Sequence, residues 1–141
     1  MSDDELYRDA LMALAREGVG AGRLEGAASS ATRDNPLCGD RVTFEVRLEN
    51  HRVSALAHQV RGCALCQAAA SYLARSAPGA SLADLSEARG ALLALLRGGA
   101  ATARPWPGLE VFAPVGRVKS RHACVLLPFD ALADAIAGAE G

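Results

Sequence analysis

The chain is poor in aromatic residues, has a single lysine and only three histidines, and offers no apolar run near the ~20 residues a bilayer span requires. With one tryptophan, two tyrosines and three phenylalanines in 141 residues, the core has to come from alanine and aliphatic side chains. A net charge of −1 gives no global attraction to nucleic acid or to an anionic membrane, so neither is an expected partner. The start, Met1-Ser2-Asp3-Asp4-Glu5, lacks the basic and apolar regions of a secretory or organelle leader, which points to a cytoplasmic protein. In that compartment the four cysteines are poor candidates for two structural disulfides and better ones for metal or sulfur chemistry. A zinc ribbon is excluded, because Cys63-Ala64-Leu65-Cys66 has no second Cys-x-x-Cys to complete it.

The most shaped stretch is Asn35-Pro36-Leu37-Cys38-Gly39-Asp40. Proline fixes its own φ and keeps its predecessor out of the helical region, and Gly39 lets the chain bend between a thiol and a carboxylate. Directly behind it, Val42 to Glu49 alternates apolar and polar without a fault, which predicts a half-buried strand with Glu45 on the wet face. Glu49-Asn50-His51-Arg52 reads as a hairpin connection and Val53–Val60 as the return strand.

Helical spacing of Leu6, Ala10, Ala13 and Leu14 predicts a first helix from Asp4 to Arg16, stopped by Gly18 and Gly20. A weak edge strand is expected around Arg23–Ala28. A helix from Ala64 to Arg75 follows the second strand, and Ser81-Leu82-Ala83-Asp84 opens another in the manner of a capping box. Ala100–Gly116 carries three of the six prolines and reads as a loop or insertion, and a last helix starts at Cys124 or Pro128 and runs to Ala137. The whole is expected to be one α+β domain over residues 1–141, a small antiparallel sheet packed against helices on one face.

Cys63 sits after a glycine at a helix N-terminus, where unpaired N–H groups favour a thiolate; the plain alternative is a buried apolar cysteine. Cys66 reads at least as well as a packed core residue as it does as a ligand, and a redox pair with Cys63 is the weaker reading, since no βαβ pattern surrounds it. Cys124 lies in Arg117-Val118-Lys119-Ser120-Arg121-His122-Ala123-Cys124, a basic run expected to favour its thiolate, or else simply to be solvated. His51 reads as solvated and His58 as a satisfied structural histidine. His122 is a weak ligand candidate. Three thiols and a carboxylate at element ends suit tetrahedral zinc, or an iron–sulfur cluster with one oxygen ligand. Spacing alone does not show that Cys38, Asp40, Cys63 and Cys124 converge.

Asn35-Pro36-Leu37-Cys38-Gly39-Asp40-Arg41-Val42 followed by an alternating strand resembles the signature of the NifU-like iron–sulfur scaffold proteins, the IscU and SufU group. Gly62-Cys63-Ala64-Leu65 and the Ala-Ala-Ser run behind it resemble that family's second cysteine motif. The SufU branch is the closer one: the Leu-Pro-Pro-Val-Lys motif and adjacent His-Cys pair of IscU proteins are missing, the gap from Cys63 to Cys124 is long, and Leu6-Tyr7-Arg8 and Arg121 are similar to SufU.

The resemblance implies a NifU-like fold and the ligand set Cys38, Asp40, Cys63 and Cys124. It further implies no independent catalytic turnover, a cysteine desulfurase as sulfur donor and apo iron–sulfur proteins as recipients. The cofactor implied is zinc in SufU-type proteins, where a histidine of the desulfurase displaces the thiolate matching Cys38, which then accepts the sulfur. In IscU-type proteins it is a [2Fe–2S] cluster under assembly. Three residues depart from the family pattern: Cys66 replaces a small non-thiol residue, Val60 a glycine, and Ala123 separates His122 from Cys124. Two other functions stay open, a domain with purely structural zinc and a thiol oxidoreductase using Cys63 and Cys66.

Overall fold

A computed structural model of the chain describes residues 3–37, 39–99 and 106–140. The order is α1 (Asp3–Glu17), β1 (Ser29–Asn35), β2 (Asp40–Glu49), β3 (Arg52–Arg61), α2 (Ala64–Ser76), α3 (Leu82–Leu96), 3₁₀ segments at Leu109–Arg117 and Lys119–Arg121, and α4 (His122–Glu140). The three strands form an antiparallel sheet in the order β1-β2-β3, with α4 laid across β1 and β2 and α2 behind β3. This is the expected α+β architecture.

The alternation in β2 does what its period demands. Val42, Phe44 and Val46 are fully buried under the helices. Glu45 departs from expectation: it faces away from the helices yet is only 7 % exposed. The chain after α1 crosses that face, and the carboxylate takes bonds from Gln59 Nε2 at 3.0 Å, Arg23 Nε at 3.1 Å and the Leu24 N–H. Led by the Gln59 bond, these hold its pKa below the ordinary value. The β2–β3 connection is a two-residue turn in which Asn50 and His51 both have positive φ, 52° and 64°, the turn whose twist suits an antiparallel hairpin.

Two expectations are corrected. The first strand is Ser29–Asn35 and not Arg23–Ala28, because Gly22 and Gly26 hold φ of 135° and 71° and keep the earlier stretch a loop. The described part of the proline-rich region is core. Leu109, Phe112 and Val115 recur every third residue on a 3₁₀ helix and are all buried, with Trp106 beside them. Tyr72 secures that segment from α2, its hydroxyl donating to the carbonyls of Pro107 at 3.0 Å and Trp106 at 3.2 Å. Residues 100–105 of the expected loop lie outside the described residues.

The last helix begins earlier and ends later than expected, and Pro128 sits within it. Together with the preceding 3₁₀ turn it forms the one helix among the described residues, Lys119–Glu140, long and apolar enough to cross a membrane by length and composition, at a mean hydropathy of 1.3. Half of that window is buried within the fold. Its carboxylates are paired with other elements, Asp134 with Arg33 of β1 and Asp130 with Arg89 of α3, both at 2.6 Å. The capping box at Ser81 and Asp84 is present in full.

Candidate metal centre

Sheet register explains how distant residues meet. Asn35 pairs with Asp40 across the β1–β2 turn, and Arg41 pairs with Arg61 across β2–β3. Asp40 therefore starts β2 at the edge where β3 ends and the chain turns through Gly62 into α2. Cys63 is the N-cap residue of α2, in extended conformation, and its side chain makes no capping bond. α4, lying across the same two strands, brings Cys124 of its first turn to that edge.

The outcome is a compact donor set. One carboxylate oxygen of Asp40 and the Sγ atoms of Cys63 and Cys124 all lie within 4.8 Å of one another. Asp40 Oδ1 accepts the N–H of Cys63 at 3.2 Å, which fixes the carboxylate's orientation. Oδ2 is buried and has no hydrogen-bond partner among the described residues. Gly62 supplies the space: a Cβ there would lie 2.6 Å from Asp40 Oδ1. Gln67 Nε2 bonds the Gly62 carbonyl at 3.1 Å and holds the turn. A buried orphan carboxylate oxygen beside two thiols is the donor chemistry of a divalent cation site, and the residues fit one.

Cys38 lies outside the described residues, so its place in this group is not assigned. Its loop is shaped as expected on both sides. Gly39 has φ 73° and donates to the Asn35 carbonyl at 2.8 Å, while the Asn35 side chain accepts the Leu37 N–H at 3.2 Å.

Cys124 corrects the expectation of a favoured thiolate. Its pKa is pushed up to about 12, first by burial and then by the neighbouring Asp40 carboxylate and Cys63. The basic run does reach the site through one member, since the Arg121 guanidinium interacts with the sulfurs of Cys124 and Cys63 and its own pKa is raised by them. A cation bound between the donors would reverse this balance and displace the thiol protons.

Cys66 is fully buried in the hydrophobic core and stands apart from the donor group. His122 turns away, its Nε2 at 3.1 Å from the Gly116 carbonyl. His58 is structural, with Nε2 2.7 Å from the Val19 carbonyl, and His51 is exposed on the hairpin turn. The residue that sequence reasoning overlooked is Gly62. Its glycine-before-cysteine position was visible, but its closeness to Asp40 depends on strand register.

Residues 6–91, more than half of the chain, match the family model described as NifU-like N terminal domain. The chain belongs to this family. A NifU-like protein (N-terminal) from Brucella abortus shares 36% identity and superposes with a TM-score of 0.89, over 97% of this chain and 96% of that one. That likeness carries the NifU-like domain beyond residue 91 to α4 and Cys124. Two curated relatives from Archaeoglobus fulgidus, the iron-sulfur cluster assembly scaffold proteins IscU 1 and IscU 2, are each 28% identical over 79 residues. Those residues are 56% of this chain and 52% of each relative, so the match spans about half the length of the curated relatives. A putative iron-sulfur cluster assembly scaffold protein for the SUF system from Fervidobacterium islandicum has the same fold, with a TM-score of 0.84 at 21% identity, over 96% of this chain and 99% of that one.

Proposed function

We propose that this NifU-like domain receives sulfur and holds metal for iron–sulfur cluster assembly, with Cys38, Asp40, Cys63 and Cys124 as its ligands and without turnover of its own. The observation that carries the reading is the 4.8 Å grouping of Asp40, Cys63 and Cys124, drawn from three distant stretches of a chain of this family. Cysteine desulfurase is the proposed sulfur donor and apo iron–sulfur proteins the recipients. The single core linking α1 to α4 supports treating residues 1–141 as one domain. Among the described residues Cys63, Cys66 and Cys124 form no disulfide, which suits a reducing compartment such as the cytoplasm.

Bound zinc would be held by this mixed sulfur–oxygen set and would keep the thiols deprotonated. A cluster would be the cargo, assembled at the same residues. In sulfur receipt, the Cys38 thiolate attacks the outer sulfur of the donor's persulfide. A new S–S bond forms on Cys38, and the donor's cysteine leaves as a thiolate. Asp40 is the replaceable oxygen ligand, and Cys63 and Cys124 the holding pair. The SufU branch is favoured by Arg121, whose guanidinium reaches both sulfurs.

The reading is tested by metal analysis of the purified protein, and by persulfide mapping after mixing with a cysteine desulfurase and cysteine. About one zinc or a labile [2Fe–2S] cluster is expected, lost in Cys63→Ser, with sulfur on Cys38. A wild type that holds no metal and takes no sulfur refutes it. Purely structural zinc is disfavoured by an extensive apolar core that includes Phe44, Tyr72 and Phe129; chelated protein should therefore keep its circular dichroism. Burial of Cys66 likewise disfavours a Cys63–Cys66 redox pair, which peptide mapping of the oxidised protein would reveal.

A further inference from the structure

Positive charge is unevenly spread along the chain. Residues 97–122 hold Arg97, Arg104, Arg117, Lys119 and Arg121 against one acid, Glu110, although the whole chain has a net charge of −1. Three of these cations, Arg97, Arg117 and Lys119, line a cavity of about 740 Å³ at the end of α3, beside the two 3₁₀ segments. Leu95, Leu96 and Ala113 supply its apolar wall. Lys119 is the only lysine of the chain.

The cavity holds donors of positive charge and little to balance them. No acid lines it among the described residues, and Glu110 acts instead on the Tyr72 hydroxyl. Arg97 and Lys119 make no ion pair among the described residues. Nearby carbonyls are already engaged by the chain itself. Those of Leu93, Ala94 and Leu95 accept the N–H groups of Arg97, Gly98 and Gly99. Gly116 closes against the Leu96 carbonyl, where a Cβ would lie 2.8 Å from the oxygen, and its own carbonyl faces His122 Nε2 at 3.1 Å. The dipole of α3 favours a cation at Arg97, its C-cap, but Arg117 and Lys119 belong to other segments and are not explained by it.

We propose that this cavity binds a small organic anion carrying two or more carboxylate or phosphate groups. The guanidinium forks of Arg97 and Arg117 match the paired oxygens of either group, and Lys119 adds a compact charge. The apolar wall takes the carbon skeleton, and the volume is that of a small-molecule site. None of Asp40, Cys63 and Cys124 lines the cavity, so the site is separate from the metal centre and stands whether or not the domain receives sulfur.

The test is calorimetric titration of the zinc-loaded full chain at constant ionic strength, with tricarballylate as the carboxylate probe and fructose bisphosphate as the phosphate probe. Saturable binding of one molecule per chain is expected for at least one probe, and the tighter of the two names the group recognised. The double change Arg97→Glu and Lys119→Glu should weaken Kd about tenfold or more. Arg8→Glu with Arg16→Glu makes the same change of net charge on exposed positions of α1 and should bind as the wild type does. Cys63→Ser should also bind normally, because no metal ligand takes part. Circular dichroism should be unchanged in both arginine-containing pairs, whose side chains are exposed. If neither probe saturates, or if the α1 pair weakens binding as much as the cavity pair, the cations are only a solvated patch and the inference fails. Binding lost in Cys63→Ser would put the anion on the metal centre and would overturn it as well.

Discussion

Replacing Gly62 by alanine isolates the carboxylate arm of the centre without removing any donor. The added Cβ would lie 2.6 Å from Asp40 Oδ1, 3.0 Å from its Cγ and 3.3 Å from its Cβ. The whole short side chain is in the way, so no flexible end can simply swing aside. Neither backbone can retreat easily, because Asp40 is paired to Asn35 and followed by the fully buried Val42. The carboxylate must rotate off Cys63, losing the 3.2 Å bond from its N–H and its place beside the two sulfurs.

Overpacking of this kind costs about 1–3 kcal/mol of stability. Misplacing a ligand's support typically lowers metal affinity by about 10–100-fold. Zinc competition against a chromophoric chelator measures the second quantity, and urea unfolding of the chelated protein the first. Gly62→Ala should lower both, whereas Gly79→Ala, with nothing within 4 Å of its Cβ but a φ of 91°, should lower stability alone. A Gly62→Ala protein with wild-type zinc affinity would show that Asp40 is not held as a ligand by this contact.

Asp40→Ala should leave a bound cluster more persistent, read as a slower loss of its visible absorption to an apo acceptor; loss of the metal altogether would contradict the exchange role. Tyr72→Phe removes the donor serving two loop carbonyls from a side chain with no exposure, and should cost about 1–3 kcal/mol in urea unfolding. A change within error would show that water replaces the hydroxyl there. His58 is held below its ordinary pKa of 6.5 by burial, so the folded protein keeps it neutral while the unfolded chain protonates. Its contribution is therefore fully present above pH 6.5 and is lost as the pH falls below it. The urea midpoint of the chelated protein should drop between pH 7.5 and pH 5.5 (about one pH unit either side of a free histidine's pKa), and His58→Gln should flatten that drop.

Much of the fold was legible because it is local. The period-2 run Val42–Glu49 named the central strand, Ser81 and Asp84 named the start of α3, and Asn35-Pro36 with Gly39 named the turn. The first strand was not legible, since β1 buries little and offers no alternation; it is a strand because β2 needs a partner. The 3₁₀ helix carrying Leu109, Phe112 and Val115 was hidden by its prolines and by a period of three, which neither helix nor strand patterns seek.

The candidate site divides in the same way. Residue types, spacing and family resemblance singled out Asp40, Cys63 and Cys124 from the sequence by itself. Only the tertiary structure brought them within 4.8 Å, because antiparallel register sets Asp40 beside the turn at Gly62 and α4 lies across the same strands. It also reversed the expected state of Cys124. Charge along a sequence suggests a thiolate, but the protonation of a thiol follows what surrounds it in space, and burial beside a carboxylate outweighs a run of neighbouring cations.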